Sequence, residues 1–169
     1  MKINNENIEI LPSKNQLSLF GYENYFNSFV KLFQKNKLPN VILLHGSKGL
    51  GKATFVYHFI NYILSNEEEE KYFVNNYKIN PNNRSYKLIC NNTHPNFFLI
   101  DNNLSDSDIK IDKVRNALKF LSKSTYSRNL KIIMVDNAEY LNRYSSNALL
   151  KALEEPQNNT FFFIIHNSS

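Results

Sequence analysis

The sequence contains a single cysteine, Cys90, among its 169 residues. One thiol cannot form a disulfide within the chain, and it excludes any zinc module that needs several cysteine ligands. No apolar run reaches the roughly 18 to 20 residues that a membrane-spanning helix requires. The N-terminal sequence MKINNENIEI lacks the apolar core of a secretory signal peptide. We therefore expect a soluble cytoplasmic protein without a membrane partner.

Neither sign of charge dominates the composition. Lys and Arg number 20 and Asp and Glu number 15, which gives a net charge of +5. Hydrophobic residues make up 42% and charged residues 21%, and these values exclude wholesale disorder. The lysines are dispersed, which favours a solvated surface; a nucleic-acid-binding face is the alternative. The length favours one compact domain.

Four short apolar runs alternate with segments of helical spacing. The runs lie at 41–44, 97–100, 132–135 and 161–165, and the helical segments at 22–33, 54–64, 111–121 and 147–153. Each run is continuous, which is typical of strands buried on both faces of a parallel sheet. The alternation predicts an α/β domain with right-handed crossovers. Residues 66–96 interrupt it, and we expect a surface insertion there with at most a short helix.

A glycine-rich loop connects the first run to the next predicted helix. Its spacing Gly46-x4-Gly51-Lys52 is the Walker A pattern in the strand–loop–helix setting that the motif requires. Glycines let backbone N–H groups form an anion-binding nest at a helix N-terminus, and the lysine would bind between the β- and γ-phosphates. A turn that binds no ligand is the alternative. The candidate nucleotide-binding residues are Gly46, Ser47, Lys48, Gly49, Leu50, Gly51, Lys52, Ala53 and Thr54, together with Asp136.

The residue after Lys52 is alanine, where the pattern has serine or threonine. That hydroxyl ligates the Mg²⁺ that bridges the phosphates, and Ala53 has no oxygen to offer. Thr54 lies about 100° further around the helix, and we expect it to point elsewhere. The sequence therefore predicts a phosphate-binding loop that has lost a metal ligand.

A second motif, at 131–136, is an apolar strand that ends in a carboxylate. This Walker B pattern predicts that Asp136 holds Mg²⁺ through water. Hydrolysing ATPases of the AAA+ type usually have a glutamate next, which polarises the attacking water, but this chain has Asn137. An amide cannot accept a proton. Glu139 is a weaker candidate base that we expect to face solvent.

Several motifs resemble the delta-prime subunit family of the bacterial DNA polymerase III clamp loader. The resemblance begins at about Leu19 and continues to the end of the chain, and its most characteristic stretch is NALLKALEEP at 147–156. The loop GLGKAT matches the family's GIGKAT, including the alanine. The other matching stretches are LFGYE at 19–23, KLPN at 37–40, IDKVR at 111–115 and VDNAE at 135–139.

The resemblance implies a three-layer AAA+ P-loop domain with a mostly parallel sheet. It implies a place in the pentameric machine that opens the sliding clamp and loads it onto primed DNA. Delta-prime is the stationary partner of the motor and delta subunits in that machine and contacts DNA only indirectly. Its relatives commonly lack ATPase activity, as the losses at Ala53 and Asn137 would suggest. The DNA polymerase III holoenzyme is a nucleotidyltransferase, but we expect neither polymerase nor significant ATPase activity of this chain. We expect weak ATP binding with little dependence on Mg²⁺.

The chain also departs from the family. Relatives often carry a four-cysteine zinc site, whereas this sequence has only Cys90 with His94 nearby, so we expect no zinc. The family's Ser-Arg-Cys motif, fifth strand, helical lid and collar domain do not occur before Ser169. We expect an extension at 1–18 followed by a partial AAA+ domain at 19–169. Clamp-loader assembly would then need the absent region, and the edge at 41–44 would favour self-association.

The remaining candidates each have two interpretations. Residues 166–168 follow the fourth run, where AAA+ proteins place a sensor 1 residue that touches the γ-phosphate; a polar strand end is the alternative. His45 and His58 are expected to be structural. Arg115 would contact a neighbouring subunit or pair locally. Residues 154–156 end a helix because proline cannot continue it, and the resemblance adds a possible subunit-facing role.

Three functions follow from these observations. The first is a non-catalytic clamp-loader scaffold. The second is a working P-loop enzyme, either a motor-type clamp-loader ATPase or a small kinase, against which Ala53 and Asn137 argue. The third is a truncated remnant that binds neither nucleotide nor partners.

Overall fold

The computed structural model describes residues 11–102, 108–123 and 130–168. Helices and strands alternate along most of this part of the chain. In chain order they are α1 (Glu23–Gln34), β1 (Val41–Ser47), α2 (Lys52–Ser65), α3 (Arg84–Cys90), β2 (Phe97–Ile100), α4 (Ile111–Ser122), β3 (Lys131–Val135), α5 (Arg143–Glu154) and β4 (Thr160–Ser168). Within these described ranges, no helix is both long enough and apolar enough to cross a membrane.

The strands form one sheet in the order β1-β4-β3-β2, and every neighbouring pair is parallel. The predicted α/β fold is confirmed, with a sheet that is wholly parallel in the described residues. Parallel strands end at the same edge of a sheet, so the loop after β1, the residue after β3 and the end of β4 lie side by side. In register, Gly46 lies opposite Asn167 and His45 lies opposite His166.

The two faces of the sheet have different cores. On the face of α1 and α2 the core is rich in aromatic rings; Phe26 stacks on Tyr72 at 5.2 Å and meets Phe59 edge-on at 6.0 Å. On the face of α4 and α5 the core is mostly aliphatic, with Val114 and Leu149 packed among its buried residues. The arrangement is the three-layer sandwich that the sequence predicts. β3 is buried along its whole length because both layers cover it.

Strands β1 and β4 differ from their sequence predictions. The continuous apolar run of β1 predicted burial on both faces, but Leu43 is 63% exposed. The strand does lie at an edge of the sheet in the described residues, as expected for the run at 41–44. β4 is longer than predicted, because His166, Asn167 and Ser168 pair with β1 as its last residues instead of following it. The polar residues at the site therefore lie on a strand.

Helix α2 is buried around nearly its whole circumference, as a helix that is apolar on all sides must be. Its outer side is covered by residues 66–96, which contain the short helix α3 and also supply the buried side chains of Tyr72, Ile79 and Ile89. His58 of α2 bonds to the Tyr72 hydroxyl at 2.8 Å and to the Gln16 carbonyl oxygen at 3.0 Å. His58 is thus the structural histidine that the sequence predicts.

Helix α5 begins four residues before its predicted start at 147. The side chain of Asn142 accepts a hydrogen bond from the backbone N–H of Ser145 at 2.9 Å and caps the helix. The prediction followed the apolar spacing and therefore missed the polar first turn. The helix ends at Glu154, two residues before Pro156, as expected.

Candidate functional site

The glycine-rich loop has the backbone conformation that phosphate binding requires. Gly49 and Gly51 adopt φ values of +87° and +81°. Residues with a Cβ rarely adopt such left-handed backbone conformations. Gly51 caps α2, whose first N–H groups point toward the loop. The hydroxyl of Tyr22 donates to the Leu50 carbonyl at 2.7 Å and fixes the outer part of the loop. The loop therefore has the shape of a phosphate-binding nest.

Lys52 lies inside the loop and is only 6% exposed. Its ammonium donates to the carbonyl oxygens of Gly46 and Ser47, each at 2.8 Å. These bonds hold a positive charge among the backbone N–H groups that form the nest. A bound phosphate would offer this ammonium an anionic partner, whereas the two carbonyl groups are neutral.

A cavity of about 430 Å³ lies between the loop and the strand ends. The loop and the start of α2 form one wall, and the ends of β3 and β4 form the other. Six of the predicted loop residues thus share the cavity with Asp136, whereas Gly46, Ser47 and Leu50 do not line it. The lining residues are Leu11, Ser13, Gln16, Lys48, Gly49, Gly51, Lys52, Ala53, Thr54, Asp136, Asn137, Ile165 and Asn167.

Two features of this lining differ from the sequence expectations. Thr54, expected to point elsewhere, lines the cavity beside Ala53. Leu11, Ser13 and Gln16 also line it, although they belong to the segment expected to be a simple extension. These three residues belong to no sequence motif. They reach the cavity through long-range packing, which the sequence alone does not reveal.

Asp136 follows β3 and faces the cavity. Burial raises its pKa, the backbone N–H of Asn137 opposes this by donating to its Oδ1 at 3.0 Å, and the nearby carboxylate of Asp101 raises the pKa further. Lys52 favours the ionised form. The carboxylate therefore shares a cavity with the Lys52 ammonium.

Asn137 occupies the position of the missing glutamate and is held by hydrogen bonds. Its Nδ2 donates to Asn102 Oδ1 at 3.3 Å, and its Oδ1 accepts from Asn167 Nδ2 at 2.9 Å. The backbone N–H and the side-chain amide of Asn167 also bond to the Glu139 carboxylate, at 3.0 and 2.9 Å. Asn167 thus lines the cavity, as the sensor 1 hypothesis requires, while its amide is already bonded within the protein.

Glu139 does not line this cavity, and its side chain is tied to Asn167. Burial alone would raise its pKa, but the hydrogen bonds from Asn167 outweigh burial and lower it. A carboxylate with a lowered pKa accepts protons less readily, which weakens Glu139 as a substitute base.

The structure also assembles a serine, a histidine and a glutamate that the sequence gave no reason to connect. Ser85 Oγ contacts both Glu68 Oε1 and His94 Nε2. However, His94 Nδ1 accepts from the backbone N–H of Asn96 at 3.1 Å, so a neutral ring carries its proton on Nε2 and cannot act as a base toward the serine. Ser85 is 2% exposed. The cluster holds the start of α3 in place and is not a catalytic triad.

Three other candidate residues lie outside the cavity. Arg115 pairs locally with Asp112, at 3.2 Å on an exposed turn of α4. Cys90 Sγ lies 3.6 Å from the Lys14 carbonyl oxygen. His45, expected to be a structural histidine like His58, is instead exposed, and its ring contacts that of His166.

Comparison with known proteins agrees with this architecture. The profile of the family described as "DNA polymerase III, delta subunit" matches residues 21–169. The chain belongs to the DNA polymerase III delta-prime subunit family. It is 28% identical over 123 residues to "DNA polymerase III subunit delta'" of Pseudomonas aeruginosa, and 25% identical over 139 residues to the protein of that name in Escherichia coli K12. The relative in Buchnera aphidicola subsp. Schizaphis graminum is 29% identical over 140 residues.

These matches cover only the N-terminal region of the delta-prime relatives. They span 73% to 83% of this chain but only 36% to 40% of those proteins. Among solved structures, a gamma subunit-related protein of Thermotoga maritima matches 84% of this chain and 39% of its own, with a TM-score of 0.52 and 17% identity. This structural likeness supports the clamp-loader type of fold and nothing finer.

Proposed function

We propose that this domain is a non-catalytic AAA+ scaffold of a DNA polymerase III clamp loader in the cytoplasm, where the machine loads the sliding clamp onto primed DNA. Membership of the delta-prime family supports this role. The motor and delta subunits are its proposed partners, and contact with DNA is indirect. Because the relatives are more than twice as long as the aligned region, the proposal concerns what this domain contributes to the whole.

The observation that carries the proposal is the hydrogen-bonded amide at position 137. Asn137 cannot accept a proton, and its side-chain oxygen is bonded to Asn167. General-base assistance contributes typically about 10² to 10⁴-fold to a reaction. Among the described residues that line the cavity, Asp136 is the only carboxylate, and its proposed role is to hold the cation. The cavity therefore favours binding over hydrolysis.

The proposed nucleotide is ATP, bound weakly and with little dependence on Mg²⁺. The residues from Gly46 to Thr54 would hold the phosphates through backbone N–H groups and the Lys52 ammonium. The cradle fits phosphate, because its left-handed glycines and buried lysine are already in place. It fits Mg²⁺ poorly, because Ala53 presents a methyl group where the Walker A pattern places the metal-ligating hydroxyl. Asp136 is the carboxylate on the cavity wall, and the Thr54 hydroxyl lies one position beyond the usual ligand. A multi-cysteine zinc site is not proposed for this domain, because Cys90 is its single cysteine.

The experiment compares phosphate release with clamp loading. The 169-residue chain should release phosphate from ATP at the background rate. A chimera in which this chain replaces the aligned N-terminal region of the Pseudomonas aeruginosa delta-prime subunit should still load clamps with that organism's motor and delta subunits. Robust turnover that is lost in Lys52→Ala would instead support a motor-type ATPase. A chimera that joins no complex would support a remnant without partners.

A further inference from the structure

Two histidine rings meet on the exposed end of the sheet. His45 and His166 are register partners on the parallel strands β1 and β4, so their side chains leave the sheet on the same face. Their Nδ1 atoms lie 3.2 Å apart and their ring centroids 5.1 Å apart. His45 is exposed and His166 partly exposed, so solvent reaches the pair.

This geometry suits a shared metal ion. Two nitrogens bound to one tetrahedral Zn²⁺ at about 2.0–2.1 Å lie about 3.3 Å from each other. The observed distance between the two Nδ1 atoms, 3.2 Å, is close to that spacing. Neutral imidazole is also a favoured ligand of zinc, nickel and copper ions, whereas magnesium prefers oxygen. Without a metal ion, the contact requires that one Nδ1 carries a proton and donates a hydrogen bond to the other Nδ1.

We propose that His45 and His166 together bind a divalent transition-metal ion of the zinc class through their Nδ1 atoms. Within the described ranges, no group of three or more His, Cys, Asp or Glu side chains converges on one point. The remaining coordination positions therefore belong to water or to donors from another molecule. The site is an open two-histidine site of modest affinity.

The position of the pair gives metal binding a structural consequence. β1 is the edge strand, and in the described residues it pairs only with β4. A metal ion that bridges the two histidines would add a bond between these strands next to Gly46 and Asn167. Glu139, held by Asn167, interacts with His166 and places a negative charge nearby. The metal would stabilise the folded state, because only the folded chain brings the two rings together.

The site is independent of the phosphate cavity and of the proposed function. Neither histidine lines that cavity. His45 lines a different cavity of about 540 Å³, on the other side of the loop, with Tyr22 and Leu43. Metal binding can therefore be measured without nucleotide, and its result does not depend on whether ATP binds.

The experiment is calorimetric titration of the untagged, chelator-treated 169-residue chain with Zn²⁺, Ni²⁺ and Mg²⁺. We expect one Zn²⁺ or Ni²⁺ per chain, no Mg²⁺ binding, and a rise in unfolding temperature with Zn²⁺. His45→Gln and His166→Gln should each weaken Zn²⁺ binding at least tenfold and remove the thermal shift. His94→Gln is the matched control, since both ring nitrogens of His94 already have partners within the protein.

A second measurement keeps the test independent of how the variants fold. In the NMR spectrum of the unaltered chain, Zn²⁺ should perturb the imidazole signals of His45 and His166 and leave those of His58 and His94 unchanged. Zn²⁺ affinity equal to Mg²⁺ affinity, or perturbation of the buried histidines alone, would overturn the proposal. So would Zn²⁺ binding that survives both substitutions, because the contact would then be an imidazole hydrogen bond only.

Discussion

The two walls of the cavity between the loop and the strand ends differ in how many features of a nucleotide-hydrolysing site they keep. The loop wall has its left-handed glycines, its helix N-terminus and a buried Lys52. The strand-end wall has Asp136, and beside it Asn167 bonds to both Asn137 and Glu139. Under the proposed function, the loop wall would bind phosphate mainly through its backbone. Hydrolysis would need particular side-chain oxygens, and two of them are missing: Ala53 on the loop wall lacks the hydroxyl, and Asn137 on the strand-end wall replaces the glutamate. Binding and hydrolysis would then be separable in this fold.

The largest effect is expected from Lys52→Ala, which removes the side-chain cation of the loop wall. The ammonium is the one side-chain cation within the loop that donates to its carbonyls, and a charge-assisted hydrogen bond contributes roughly 1.5–3 kcal/mol. We expect ATP affinity to fall about a hundredfold, as measured by titration of a fluorescent ATP analogue without Mg²⁺. Lys48→Ala, in the exposed part of the same loop, is the control and should cost much less. Equal losses in both variants would show that general charge, not the nest, attracts the nucleotide.

Acid should destabilise the side of the molecule that supports the loop wall. Burial lowers the pKa of His58 and of His94 to about 4, with Arg84 contributing at His94. The unfolded chain takes up these protons near pH 6.5, while the folded chain resists until about pH 4, so stability is lost as pH falls between these values. By pH 5 the loss should be about 2 kcal/mol per histidine.

Urea unfolding at pH 7 and pH 5 measures this loss. His58→Gln should reduce the dependence on pH by the share of one histidine, because glutamine does not titrate. A free energy of unfolding that is the same at both pH values would show that the two rings are solvated and not buried. Such a result would also contradict the packing of residues 66–96 over α2.

Sequence predicted the secondary-structure elements better than their surroundings. Apolar periodicity placed all four strands and four of the helices, since each pattern is local. The same periodicity could not show that Leu43 of β1 is exposed, because an apolar run records hydrophobicity and not which face of the strand is covered. The edge position of β1 was expected from the resemblance and not from the apolar run. It also ended β4 at the last apolar residue, although backbone pairing with β1 continues through His166 and Asn167.

Most of the contacts that sequence missed are long-range. Ser13 and Gln16 reach the cavity, and His45 meets His166 across 121 residues of chain. The ideal helical rotation of about 100° per residue predicted that Thr54 points away from the loop. The cavity is wide enough that both Ala53 and Thr54 line it. A motif specifies residue types and spacing, and it leaves the remainder of the wall to the packing of the whole domain.

Ala53→Thr adds a metal ligand at the start of α2 and leaves the strand-end wall unchanged. The new hydroxyl supplies the oxygen that Mg²⁺ lacks at this position, so we expect Mg²⁺ to increase ATP affinity about tenfold, which corresponds to roughly 1.4 kcal/mol. Turnover should stay at background, because Asn137 still offers no base. Ala53→Val has the same shape without the hydroxyl and should show no Mg²⁺ effect. Phosphate release by Ala53→Thr would mean that the metal ligand was the only missing catalytic part.

The smallest expected effect is a gain of stability in Asp136→Asn. Burial raises the pKa of Asp136 above the value in the unfolded chain, so the protonated form contributes stability at low pH that is lost as pH rises through the folded pKa. At neutral pH the folded protein therefore holds this carboxylate at a cost, and a neutral side chain of the same shape should raise the unfolding midpoint in urea. The same change should remove any Mg²⁺ dependence introduced by Ala53→Thr. Asp112→Asn, which breaks only an exposed ion pair, is the matched control. A lower midpoint for Asp136→Asn would show that the hydrogen bond from the Asn137 N–H outweighs desolvation, and the strand-end wall would then be built for stability more than for a cation.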